Sequence, residues 1–80
     1  MEEFLAIVKL FAGNFVPENF HACDGSLLPI MQNQPLFSLL GTTYGGDGQR
    51  TFALPKLKAP ADGLTFIICT QGSYPQRPSS

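Results

Sequence analysis

Apolar and polar positions fall into short blocks along the chain, and the period of the pattern changes from block to block. The first, Phe4-Leu5-Ala6-Ile7-Val8-Lys9-Leu10-Phe11, is apolar except at Lys9. Phe4, Ile7, Val8 and Phe11 match a helical stripe, but the block is short and ends at Gly13-Asn14, which predicts a strand buried on both faces. Pro17 and Asn19 mark a loop. Phe20-His21-Ala22-Cys23 and Ser26-Leu27-Leu28-Pro29-Ile30 then flank Asp24-Gly25, a two-residue link suited to the type I′ turn of a β-hairpin. Pro29 has no N–H to give to a ladder, so its strand is expected at a sheet edge or to end there.

Between Gln32 and Gly41 the pattern turns helical, with Leu36, Leu39 and Leu40 spaced i, i+3 and i+4 and Gly41 placed to follow the last turn. Pro35 is tolerated only in the first turn, which puts the N-cap at Asn33 or Gln34. Gly45, Gly46 and Gly48 predict a tight irregular loop over Tyr44 to Arg50. Thr51 to Leu54 reads as a short strand stopped by Pro55, and Lys56 to Gly63 as a connector. Leu64 to Thr70, rich in β-branched and aromatic residues, predicts the central strand. The fold class is α+β: a small, mostly antiparallel sheet with one short helix and long glycine-rich loops. The expected organisation is one domain over residues 1–72 and a flexible tail over 73–80.

Composition adds one constraint. A chain of 80 residues buries only about 60–65% of its unfolded surface. Charged residues make up 14%, against roughly 25% in ordinary globular domains. So sparse a charged coat predicts that partner surfaces cover part of the molecule. The net charge is −1 and the Lys and Arg residues are scattered, which argues against nucleic acid. The Met1-Glu2-Glu3 start lacks the positive charge of a signal peptide, and the apolar block is too short to cross a bilayer. The expectation is a protein made in the cytoplasm and not inserted in a membrane.

Candidate chemistry is sparse. Gly45-Gly46-Asp47-Gly48 lacks the Lys and Ser/Thr of a phosphate-binding loop, and Thr51 stands where a dinucleotide fingerprint needs its third glycine. His21, Asp24 and Ser26 are close in sequence, but on a tight hairpin their side chains alternate faces, unlike a convergent hydrolytic triad. Cys23 and Cys69 lack zinc-site spacing; they read as buried thiols, with a bridge between them as the alternative. No catalytic residue, cofactor or metal site is expected. Asp24, Gly25, Gly41, Gly45, Gly46, Asp47, Gly48 and Pro55 read as residues that set turns and stops. Tyr44, Gln49 and Arg50 are the candidate ligand contacts.

The residues also carry a resemblance. Leu10-Phe11-Ala12-Gly13-Asn14-Phe15, Cys23-Asp24-Gly25-Ser26-Leu27-Leu28-Pro29-Ile30, Gln32-Asn33-Gln34, the run from Leu36 to Gly48, Thr51-Phe52-Ala53-Leu54-Pro55 and the run from Ile67 to Pro75 resemble the phage tail collar domain family, which includes the microcystin-dependent proteins. The resemblance implies a small α+β module of tail fibres and fibre-like structures. Such a module is structural or adhesive and non-enzymatic, acting by self-association, with a trimer expected, or by docking on other tail or fibre proteins. It further implies residence in a virion tail or an extracellular phage-like particle. An adhesin that binds surface glycans through the 42–50 loop is the alternative. The chain departs from the family pattern at Met31, where serine is usual, at Pro35, at Phe20, near which tryptophan is common, and after Leu57, where the family segment is much longer.

Overall fold

The structure, a computed structural model, describes residues 3–76. Its elements in chain order are β1 (Val8–Ala12), β2 (Phe20–Ala22), β3 (Leu27–Pro29), α1 (Gln34–Leu40), β4 (Thr51–Ala53) and β5 (Leu64–Cys69). They form two antiparallel sheets, one ordered β1-β5-β2 and one made of β3 and β4. The α+β class therefore holds, with the sheet divided in two.

β5 is the central strand, as its composition predicts. Ile67, Ile68 and Cys69 are all buried, and since successive side chains point to opposite faces, both faces of the strand are covered. The main core gathers Cys23, Leu36, Phe52, Leu54 and Ile68, with Phe37 and Leu40 of α1 packed against it. The Phe37 and Phe52 rings lie 5.4 Å apart in a tilted contact. Fully burying one such side chain is worth about 1.5–3 kcal/mol, so this small cluster decides whether the fold holds.

The helix lies within its expected span, with Asn33 at the N-cap position and Pro35 in the first turn. Asn33 does not cap through its side chain; its amide Nδ2 donates instead to the Pro29 carbonyl at 2.9 Å. Gly41 ends the helix at φ 58°, its N–H donating to the Phe37 carbonyl at 2.7 Å.

Two expectations are corrected. The Phe4–Phe11 block is not one strand buried on both faces. Ala6 sits at φ 70° and the Ile7 N–H turns back to the Phe4 carbonyl at 3.3 Å, so the strand begins only at Val8. It pairs with β5 alone and forms an edge, leaving Val8 39% and Leu10 48% exposed. Nor is Asp24-Gly25 a hairpin turn. β2 pairs with β5 and β3 with β4, so the dipeptide is a corner that passes the chain from one sheet to the other. Of its two residues only Gly25 has positive φ, at 82°, whereas a type I′ turn needs both.

The tail expected from Ser73 onward is held at its start. The Ser73 N–H donates to the Glu3 carbonyl at 3.0 Å, the Leu5 N–H to the Ser73 carbonyl at 2.9 Å, and the Tyr74 hydroxyl meets Ser38 Oγ at 2.8 Å. Residues 77–80 of that expected tail lie outside the described residues.

Candidate functional site

The most organised polar feature is the loop from Gly41 to Arg50. Oδ1 of Asp47 accepts the backbone N–H groups of Gln49, Arg50 and Thr51 at 2.9, 2.8 and 3.0 Å. These bonds, that from Thr51 contributing most, hold the carboxyl at about 2, well below its ordinary 3.8. Successive N–H groups curled in this way form a concave nest for an anion. Here the chain's own carboxylate fills the nest, a physical reason beyond motif spacing why this glycine-rich loop is not a phosphate cradle.

The loop also closes a sheet edge. On its inner side β4 bonds to β3, as the flanking Leu54 N–H to Ser26 carbonyl and Ile30 N–H to Arg50 carbonyl bonds show, both at 2.9 Å. By antiparallel alternation Thr51 and Ala53 then face outward. Three of their four outward groups are taken: Ala53 N–H by the Gly45 carbonyl at 3.0 Å, Thr51 carbonyl by the Gly48 N–H at 3.0 Å, and Thr51 N–H by Asp47. Gly46 makes the close approach feasible. It lies at φ 95°, and a Cβ there would stand 2.6 Å from the Thr51 carbonyl oxygen. Gly45 and Gly48 also have positive φ. Pro55, buried, follows directly after β4 and Leu54.

Tyr44 is 51% exposed, and Gln49 and Arg50 are exposed as well. The loop thus brings all three candidate ligand contacts to the surface. At the other corner Asp24 accepts from Ser26 Oγ and the Ser26 N–H, which hold its carboxyl below the usual range, and its backbone forms an isolated antiparallel β-bridge with that of Lys56.

No relay links His21, Asp24 and Ser26. The Ser26 hydroxyl donates to Asp24, while His21 Nδ1–H donates to the Ala22 carbonyl at 2.8 Å. Among the described residues no group of three His, Cys, Asp or Glu side chains is placed to hold a metal ion. Cys23 and Cys69 are free and buried, and burial pushes both thiols up from their ordinary value. A bridge between them is ruled out by register. Cys69 stands opposite Phe20, whereas the Cys23 N–H bonds to the Phe66 carbonyl. Three strand positions separate them, about 10 Å on opposite faces, beyond the roughly 7 Å that a disulfide spans.

Sequence reasoning missed the edge-closing role of the loop. Its signal was Asp47 followed by a glycine and, four positions on, by Thr51, whose Oγ1 accepts the Asp47 N–H at 3.4 Å. No helix among the described residues is long and apolar enough to cross a membrane.

The family model of the phage tail collar domain matches residues 6–61. Comparison with curated proteins and with solved structures found no match. The matched segment holds β1 to β4, the helix and the edge-closing loop, while β5, the strand that joins β1 to β2, follows it. By this match the chain belongs to the phage tail collar domain family, structural modules of phage tail fibres.

Proposed function

We propose that the chain is a non-enzymatic contact block of a phage tail or tail-like fibre, acting by self-association or by docking on neighbouring tail proteins. The observation that carries this reading is the surface. Among the described residues, large apolar side chains stand exposed on several elements, Phe4, Val8, Leu10, Leu27 and Leu57 among them. Much of what is exposed is apolar, including Phe15 at 66% and Met31 at 84%. The test is to purify tail particles and look for the chain in them by mass spectrometry and gold labelling. A stoichiometric signal at a fixed position on the tail supports the reading. Particles without the chain, together with a purified chain that neither self-associates nor holds any tail protein, refute it.

A second reading, glycan recognition by the 42–50 loop, draws on the half-exposed Tyr44 ring and the exposed Gln49 and Arg50 of a loop whose 47–51 backbone is fastened by Asp47. Aromatic rings and planar polar side chains are the usual means of gripping sugars. Glycan-array binding that vanishes in a folded Tyr44→Ala variant supports it, and an empty array removes it.

A further inference from the structure

Two segments that each carry a glutamate are fastened to the same stretch of chain at the end of β5. On one side the Asn19 carbonyl accepts the Thr70 N–H at 2.8 Å, the Gln71 N–H at 3.3 Å and the Thr70 hydroxyl at 3.2 Å, which pins the loop that bears Glu18. On the other side the Glu3 carbonyl accepts the Ser73 N–H at 3.0 Å, and the Leu5 N–H donates to the Ser73 carbonyl at 2.9 Å. A cavity of about 420 Å³ lies between the two attachments, with Glu3, Glu18, Asn19, Phe20, Gln71 and Ser73 among its walls. That volume falls inside the roughly 300–1,000 Å³ of ordinary ligand sites. The walls are held by backbone bonds to one segment, so the two carboxylates flank the hollow at a fixed spacing.

We propose that this cavity receives a basic side chain, the guanidinium or ammonium group of an arginine or lysine, presented by a neighbouring tail protein. The inference rests on the contact-block reading and names the chemistry of its partner. Charge sets the sign of the occupant. Both charged residues in the walls are glutamates. Lys9 pairs with one oxygen of Glu3, whereas the Glu18 carboxylate has no hydrogen-bond or ion-pair partner among the described residues, so one negative charge is left uncompensated. A guanidinium or ammonium group carries donors only, which suits a carboxylate and the carboxamide oxygens that Asn19 and Gln71 can turn toward it. The half-buried Phe20 ring adds an aromatic wall, and such a ring attracts a cation lying against its face. A hard metal ion fits less well, because it takes six or more oxygen ligands and no group of three acidic, His or Cys side chains converges among the described residues. The chain holds five Lys and Arg residues against six Asp and Glu and spends Lys9 on Glu3, so its electrostatic complement is a partner richer in basic residues.

The test uses the full chain, with N-acetyl-arginine amide and N-acetyl-lysine amide as probes. Titrated into isotope-labelled protein, they should shift the nuclear magnetic resonance signals of the Asn19, Phe20, Gln71 and Ser73 amides and leave those of the 42–50 loop in place, while neutral N-acetyl-glutamine amide shifts none of them. Added salt should weaken the effect. Glu18→Gln, at an exposed position, should keep its circular dichroism and weaken probe binding about threefold. Should that variant not fold, Lys9→Gln replaces it: freeing Glu3 should tighten the probe about threefold. On a column the wild type should hold tail proteins better than Glu18→Gln does. Three results overturn the inference. One is equal response to the neutral and the basic probes. Another is tail protein held equally by wild type and Glu18→Gln, which leaves the contact-block reading standing; a wild type that neither holds tail protein nor self-associates refutes both. The third is a chain ended at Gln76 that binds the probes at least tenfold tighter, which makes the occupant the chain's own Arg77.

Discussion

Replacing Gly46 by alanine is expected to cost more than the same change at Gly63, which shares its positive φ but meets no neighbour. Gly46 lies at φ 95°, and a Cβ there would meet the Thr51 carbonyl oxygen at 2.6 Å and the Phe52 nitrogen at 2.9 Å. Both are backbone atoms of β4, so no side chain can swing aside to relieve the clash. Positive φ on a non-glycine residue costs about 1–3 kcal/mol, and forcing a methyl into packed structure a further 1–3 kcal/mol or so. The expected loss is therefore about 2–6 kcal/mol, a large share of the roughly 4–12 kcal/mol available to a domain of this size. Gly63 supplies the control, since it has φ 81° but nothing within 4 Å of its would-be Cβ. Gly63→Ala should lose only the conformational part, about 1–3 kcal/mol. The assay is urea unfolding followed by far-ultraviolet circular dichroism, suitable because the chain has no tryptophan. Equal losses at the two positions would refute the claim that the loop seals β4 by close backbone approach.

Other outcomes follow from the same contacts. The Asp47 carboxyl is depressed to about 2 from 3.8, so its contribution to stability is complete above that ordinary value and is lost as pH falls toward 2. Asp47→Asn should flatten the acid limb of a midpoint-versus-pH curve, leaving the smaller slope due to Asp24, whose carboxyl is lowered by Ser26; an unchanged limb would contradict the three-bond geometry. Both thiols, raised by burial, should react with a thiol-specific chromophore only after denaturation, two per chain. Fast labelling of the folded protein would show that the core is open.

How much could be read from the sequence depended on whether the determining contacts were local. The helix was legible because Leu36, Leu39, Leu40, Pro35 and Gly41 all act within one segment, and β5 because its composition suits a strand in any sheet. The glycine loop was legible as a loop, but not as an edge seal, because that role requires β4 to lie where Gly46 can touch it. The Asp24-Gly25 corner misled for a related reason. An Asp-Gly link favours a hairpin only when its flanking strands prefer each other, and here Leu28 pairs with Phe52 while His21 pairs with Ile68. β1 was misplaced because the break at Ala6 uses positive φ without a glycine to announce it. Its length suggested burial, yet nothing local to it reveals that only one side is paired.

The most direct measurement of the account is the solution mass of the untagged chain by sedimentation equilibrium over a wide concentration series. The account predicts a mass that climbs from 8.7 kDa toward a multiple of one chain as concentration rises, or a monomer that binds tail proteins. A mass that stays at one chain throughout the series, for a chain that also holds no tail protein, would contradict it.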